Sequence, residues 1–254
     1  MTAEATLTLR APLRGRIDAG TVAWSTLRGL DAAGIGSQEV WVEDTDRATL
    51  GDLFEVSGAP APRIRLVGDL ALMDGIGAGL AAGELVVEGD AGRHLGRRMS
   101  GGVIEVRGNA GRLAGGADPG AKRGMTGGEI IIRGSAGPMA GAGIRRGLIV
   151  VQGDAGEDAG RAMIAGSVLV FGSLGANPGL FSRRGSIVAF GPHTPPAPYR
   201  YACTYRPPHL WVTLRYLRGR HEVPVAPGQL AGAYRRYSGD LAELGAGEIL
   251  SWIP

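Results

Sequence analysis

Between residues 64 and 191 short aliphatic runs alternate with polar stretches punctuated by glycine. The runs end at Gly68, Gly89, Gly108, Gly134, Gly153, Gly172 and Gly191, at intervals of 21, 19, 26, 19, 19 and 19 residues. Four and two positions before these glycines stand Ile64/Leu66, Leu85/Val87, Ile104/Val106, Ile130/Ile132, Ile149/Val151, Val168/Val170 and Ile187/Ala189. Two-residue spacing puts each pair on one face of a strand. The alternate positions are charged in the early copies (Glu84, Glu88, Glu105, Arg107, Glu129, Arg133) and apolar in the later ones (Leu148, Val150, Leu169, Phe171, Val188, Phe190). The pattern predicts one strand per copy with one face in a core. The other face meets water at first and later needs a cover.

The glycines extend the pattern. A second follows three residues on, at Gly92, Gly111, Gly137, Gly156 and Gly175. A third follows seven residues on, at Gly75, Gly96, Gly115, Gly141, Gly160 and Gly179. The motif G-x-x-G-x-x-x-G therefore repeats every 19 residues, and the 26-residue interval holds a seven-residue insertion, Ala117–Arg123. So short a unit closes no core alone and must stack on its neighbours. The expectation is an all-β chain: a right-handed parallel β-helix of about seven coils over 64–191, roughly 34 Å long at ~4.8 Å per coil. Its glycines turn the corners or pass close to the next coil. A hexapeptide solenoid does not fit a period of 19, and leucine-rich repeats lack their Leu/Asn ladder here.

Residues 1–63 and 192–254 are non-repeating and read as the capping segments that solenoid ends require. Leu7–Arg10 and Val40–Glu43 read as strands, and Leu210–Leu217 alternates like a third. A Pro-rich loop runs from Pro192 to Pro198, and Gln229–Leu244 reads as a broken helix. The segment from Tyr199 onward, with Trp211 and Trp252, is one candidate cover for the late apolar stripe; another subunit is the alternative.

Composition narrows the class. Glycine and proline, 45 and 15 of 254 residues, suggest collagen or disorder. No three-residue period exists, and 44% hydrophobic residues with a net charge of +3 do not suit disorder. That charge does not mark a nucleic-acid binder. Cys203 is the only cysteine, which excludes an intrachain disulfide or a multi-cysteine metal site and suits a reducing compartment. No basic-then-apolar leader and no apolar run of ~20 residues is present, so a cytoplasmic protein without a membrane segment is expected.

Candidate chemistry is sparse. His94, His193, His209 and His221 form no metal-binding spacing, so no metal site is expected. His94 reads as a turn-surface residue and Cys203 as a structural thiol. Asp69, Asp90 and Asp154 read as local turn formers. Gly75, Gly77 and Gly79 lack the strand–helix context of a dinucleotide site. No catalytic residue is assigned. Basic residues recur late in the copies: Arg97 and Arg98, Lys122 and Arg123, Arg145 and Arg146, Arg161, Arg183 and Arg184. Stacking would align them as a ladder on one edge, a track for a polyanion or an acidic partner, with a solvated edge as the alternative.

Copies such as LIVVQGDAGEDAG resemble the β-helix of the glutamate synthase C-terminal domain. GDLFEVSG at 51–58 and YRRYSGDL at 234–241 are similar to the C-subunit family of formylmethanofuran dehydrogenases, in its branch from bacterial formyltransferase/hydrolase complexes of methylotrophs. The resemblance covers nearly the whole chain. It implies a β-helical scaffold subunit in a hetero-oligomer of one-carbon metabolism. Such a complex moves a formyl group from tetrahydromethanopterin to methanofuran or methylofuran and hydrolyses it to formate. The resemblance places the active sites and zinc on a formyltransferase subunit and zinc amidohydrolase-like subunits. It implies no catalytic cofactor site here, while the polyglutamate tail of the family's cofactor would suit the arginine edge. Two other classes stay open: a transferase working at the solenoid edge with His94 as base, and a glutamate synthase-like structural domain.

Overall fold

Each aliphatic run becomes one strand. The computed structural model describes residues 4–22, 24–43, 46–58 and 60–254. In chain order the first part holds β1 (Glu4–Leu9), β2 (Ile17–Asp18), α1 (Trp24–Leu27), α2 (Ala32–Gly36), β3 (Glu39–Val42), β4 (Asp46–Thr49), α3 (Leu50–Leu53) and β5 (Phe54–Gly58). The repeats give β6 (Arg63–Val67), β7 (Met73–Asp74), β8 (Glu84–Val87), β9 (Ser100–Val106), β10 (Gly127–Ile132), β11 (Leu148–Val151), β12 (Ser167–Val170) and β13 (Arg184–Ala189). The last part holds β14 (Arg200–Tyr205), α4 (Pro208–Arg220), α5 (Pro227–Ala231), β15 (Tyr234–Gly239) and β16 (Ala246–Trp252).

The chain is mostly β. Twelve strands form one mixed sheet, ordered β14-β15-β16-β13-β12-β11-β10-β9-β8-β6-β1-β5, which stays open. From β1 through β16 along that order every pairing is parallel, while the outermost pairings are antiparallel. Register repeats without slip at the core positions: Ala5, Ile64, Leu85, Ile104, Ile130, Ile149, Val168, Ile187 and Ile249 lie side by side. β1 and β16 thus join a stack that the glycine motif alone confines to 64–191. A second line of single parallel bridges links Leu70, Ala91, Ala110, Ala136, Ala155 and Leu174. A smaller sheet, β4-β3-β2-β7, packs the first segment beside the first repeat.

The glycines set the spacing between repeats. The Gly108, Gly134, Gly153 and Gly172 amides donate in turn to the carbonyls of Gly89, Gly108, Gly134 and Gly153, at 2.9–3.0 Å. A Cβ on Gly153 would stand 2.9 Å from the Gly134 carbonyl, closer than any side chain tolerates. The third motif glycine has a different need: Gly160 has φ +68, and a Cβ there would stand 2.8 Å from Ile187 Cδ1.

Beside this column runs a ladder of short polar side chains. Asp90 Oδ1 accepts from Asn109 N at 2.6 Å, Asn109 Oδ1 from Ser135 N at 2.9 Å, Ser135 Oγ from Asp154 N at 3.0 Å, and Asp154 Oδ1 from Ser173 N at 2.6 Å. Only Asp69 makes the local turn contact expected of all three aspartates, to Ala71 N at 3.0 Å. Asp90 and Asp154 reach the next repeat instead, because the register sets its free amide directly over them.

The outer face is held in two ways. In the early repeats, ion pairs link Glu4, Arg65, Glu88, Arg107, Glu105 and Arg133 in an unbroken alternation of charge. The hydrogen bond from Arg65 holds the Glu4 carboxyl below its ordinary pKa, against the opposing effect of burial. In the later repeats the C-terminal segment supplies the apolar cover. Leu210, Leu214 and Leu217 pack with Val223, Val225 and Tyr234 on Ile131, Val150, Leu169, Val188 and Leu250.

Two expectations for that segment are corrected. Leu210–Leu217 is helical, within α4, not a strand. Pro207 and Pro208 start the helix, and Leu210, Leu214 and Leu217 bury one face at helical spacing. Trp211 therefore points away from the stripe and is exposed. Within Gln229–Leu244 only Gln229–Ala231 is helical, in α5; the middle is β15, whose backbone is needed between β14 and β16, and the remainder is turn or loop. The helix end is pinned by His221 Nε2 to Glu129 Oε2 at 2.6 Å and Tyr216 OH to Glu129 Oε1 at 2.9 Å. Burial opposes ionisation of Glu129, yet these two bonds outweigh it and lower its pKa.

Leu214 is fully buried in this cover. Leu214→Ala should destabilise the protein by about 2–5 kcal/mol in denaturant unfolding. The same substitution at exposed Val212 should change stability by less than about 0.5 kcal/mol.

Candidate functional site

The insertion makes the largest departure from the repeat. Ala117 N donates to Ala142 O at 2.9 Å, and Gly124 N donates to Gly143 O at 2.8 Å. Both ends thus stay bonded to the next repeat while the residues between them stand out from the stack. Asp118 ties the loop down, with Arg97 Nη1 and Arg98 Nε each 3.4 Å from its carboxylate. Arg97 also lies 3.6 Å from Asp18. One guanidinium therefore joins the first segment, the second repeat and the insertion.

Against the loop lies an open cleft of about 590 Å³. Its apolar lining comes from Leu113, Met139, Ile164 and Phe181, and its charged lining from Arg112, Lys122, Arg161, Arg183, Asp118 and Glu243. Phe181 is 42% exposed. The Arg161 guanidinium sits 4.7 Å from the Phe181 ring centre and 3.4 Å from Asp158 Oδ2. Arg183 Nε is 3.5 Å from Glu243 Oε2.

The expected arginine ladder is not one column. Arg145, Ile164 and Arg183 occupy equivalent places, donating backbone N–H to Met125, Ile144 and Met163. The uncharged Ile164 separates the two arginines. Arg97 and Arg161 stand eight residues after their strand-ending glycines, whereas Arg145 and Arg183 stand eleven after theirs. Arg123, Arg145, Arg146 and Arg184 are exposed and make no ion pair among the described residues. Arg97 and Arg98 are engaged by Asp118. Of the nine basic residues expected to form the ladder, Lys122, Arg161 and Arg183 line the cleft.

The cleft's other residues, Arg112, Leu113, Met139, Phe181 and Glu243, were not singled out by motif. The break of period at 117–123 was the available signal, since an insertion must build something outside the stack.

The remaining candidates have settled places. His94 is half-buried, with φ +58 and a buried Nδ1 that finds no partner. Burial first, then the charge of Arg97, pushes its pKa below 6.5, so the imidazole is neutral at neutral pH. His193 bonds Gly191 O at 3.0 Å and Ser251 Oγ at 2.7 Å, joining β16 to the end of the repeats. Cys203 is exposed on β14 opposite Arg236, so it is not the structural thiol expected; an edge strand with no layer above it leaves it in water. Among the described residues no three His, Cys, Asp or Glu side chains converge as a metal site, and no helix is long and apolar enough to cross a membrane.

Fold and site together define a repeat-built, mostly β protein with an open cleft of mixed apolar and charged lining beside its insertion. No family model matches the chain. It is similar over 98% of its length to a chain of the formyltransferase/hydrolase complex of Methylorubrum extorquens, solved with methylofuran, with 33% identity, a TM-score of 0.78 and all of that chain covered. In sequence it is 37% identical over 92 residues to the C subunit of the formyltransferase/hydrolase complex of the same organism. It is 36% identical over 82 residues to the C subunit of a molybdenum-containing formylmethanofuran dehydrogenase of Methanothermobacter thermautotrophicus. These two alignments span 34% and 20% of the curated relatives' lengths, and 35% and 32% of this chain. The chain belongs to the family of C subunits of formyltransferase/hydrolase and formylmethanofuran dehydrogenase complexes.

Asp118 gives the insertion its one carboxylate anchor. Asp118→Ala should cost about 1 kcal/mol or less in overall stability, as for a partly exposed ion pair. It should speed tryptic cleavage after Lys122 and Arg123 several-fold, which a limited-proteolysis time course reads directly; an unchanged rate would show the loop to be held otherwise.

Proposed function

We propose that this chain is the non-catalytic scaffold subunit of a formyltransferase/hydrolase complex, which moves a formyl group from tetrahydromethanopterin to a methanofuran-type cofactor and hydrolyses it to formate. The observation that carries this reading is the similarity over 98% of the chain to one chain of such a complex. Formyl transfer and hydrolysis belong to a formyltransferase subunit and zinc amidohydrolase-like subunits, with the zinc held there. The whole assembly is a cytoplasmic hetero-oligomer.

The scaffold is a right-handed parallel β-helix over 64–191, with 1–63 and 192–254 as its caps. Two lines of parallel pairing with one 19-residue register support this architecture. Antiparallel strands at both margins of the sheet support the capping role. The outermost strands of the sheet, β5 and β14, thus belong to the two caps and not to the repeats.

The exposed Arg123, Arg145, Arg146 and Arg184 are proposed as a surface for the cofactor's anionic tail; Arg183, engaged by Glu243, leaves the set. The solved relative's complex contains methylofuran. Arg97 and Arg98 leave that set, because Asp118 engages both. Like-charged side chains left to solvent would attract an anion from outside the chain, and counterion release would make that binding salt-dependent.

Purification through a tag on this chain, from cells expressing the neighbouring subunits, should recover the formyltransferase and amidohydrolase-like subunits in fixed ratio. The assembled complex should transfer formyl groups while the isolated chain should not. Formyl transfer by the isolated chain would contradict the scaffold role.

A further inference from the structure

We infer that the cleft beside the insertion seats a short acidic segment of a partner subunit, one apolar side chain flanked by carboxylates; this rests on the proposed subunit role.

The first argument is conformational. The fifth residue after the strand-ending glycine is left-handed in five successive repeats: His94, Leu113, Met139, Asp158 and Asn177 have φ of 58, 63, 64, 59 and 56. Histidine, aspartate and asparagine are the non-glycine types that most often adopt this geometry, whereas leucine and methionine resist it. Leu113 and Met139 are the two that line the cleft. Phe181 repeats the pattern: it has φ +63 at a place where earlier repeats carry Gly79, Arg98, Gly143 and Ala162, all left-handed. Three bulky apolar side chains thus occupy positions where the backbone favours glycine or asparagine, and all three form one surface. The left-handed geometry belongs to the repeat, since His94, Arg98, Asp158 and Asn177 share it outside the cleft; particular to the cleft is that bulky apolar side chains hold it there, which points to a binding surface.

The second argument is charge. Asp118 is engaged by Arg97 and Arg98, Glu243 by Arg183, and Asp158 by Arg161. Arg112 and Lys122 have no carboxylate partner among the described residues; Arg112 reaches only Met139 Sδ, at 3.5 Å. Two unneutralised cations beside an apolar floor call for an occupant with two negative charges and an apolar group between them.

The third argument is shape. The lining comes from four successive repeats, at Arg112–Leu113, Met139–Gly143, Arg161–Ile164 and Phe181–Arg183. At ~4.8 Å per repeat that is roughly 14 Å, the reach of about four extended residues. An open trough of that length suits a polypeptide segment, and the complementary charge suits an acidic one.

Lys122 is the chain's only lysine, which makes the test specific. A zero-length carbodiimide applied to the purified complex should couple Lys122 to an aspartate or glutamate of another subunit that has an apolar neighbour within two residues. Phe181→Gly should leave the melting temperature of the isolated subunit unchanged or raised, because glycine suits φ +63. The same substitution should weaken the subunit's association with the complex at least tenfold and reduce the cross-link in proportion. An intact complex in which Lys122 couples only within its own chain, or a Phe181→Gly chain that assembles like the unsubstituted one, overturns this inference alone. If the unsubstituted chain joins no complex, the subunit role falls and the inference with it.

Discussion

The structure depends on how closely one repeat's backbone can approach the next. At Gly108, Gly134, Gly153 and Gly172 the amide donates to the glycine carbonyl one repeat earlier, and no Cβ fits between them. That contact places every later residue of the repeat in register with its equivalent. Register then brings the aliphatic pairs into one core and the short polar side chains over the next repeat's amides. Hydrogen bonds across repeats satisfy backbone that would otherwise be buried unpaired, which is why no long-range loop is needed to hold the stack.

A uniform stack leaves its outer face to be solved locally. Where that face is charged, ion pairs from Glu4 to Arg133 bridge one strand to the next. Where it is apolar, α4 and the segment that follows it through Val225 lie over it. The two solutions meet at Arg133, which bonds both Glu105 and the carbonyls at the end of α4. The side bearing the insertion has no such cover, and there the cleft opens. The surface is thus divided into closed regions and one open region beside the insertion.

Much of this was legible in the chain. Glycine spacing and paired aliphatics predicted the strands of the repeats, and the apolar stripe at Leu148–Phe190 predicted its own cover. The α4 segment misled because Leu210, Val212 and Leu214 satisfy a period of two while Leu210, Leu214 and Leu217 satisfy a helix. An unbroken run of thirteen residues beginning with proline should have decided for the helix. β1 and β16 joined the parallel stack without carrying the glycine motif, so no repeat announced them. The arginine ladder failed by register: counting from each glycine puts Arg97 and Arg145 at different places in their repeats. The cleft was hidden because only the fold shows that Leu113, Met139 and Phe181 stand at left-handed positions on one surface.

The central claim is that backbone contact at the glycine column holds the repeats together. Its most direct test compares the unfolding free energies of Gly153→Ala and Gly219→Ala. A Cβ at Gly153 meets the Gly134 carbonyl, whereas one at Gly219, within α4, meets nothing within 4 Å. The account predicts a loss of about 1–3 kcal/mol for the first, from overpacking, and a gain of about 0.5–1 kcal/mol for the second, from helix propensity. Equal stability of Gly153→Ala and the unsubstituted protein would contradict it.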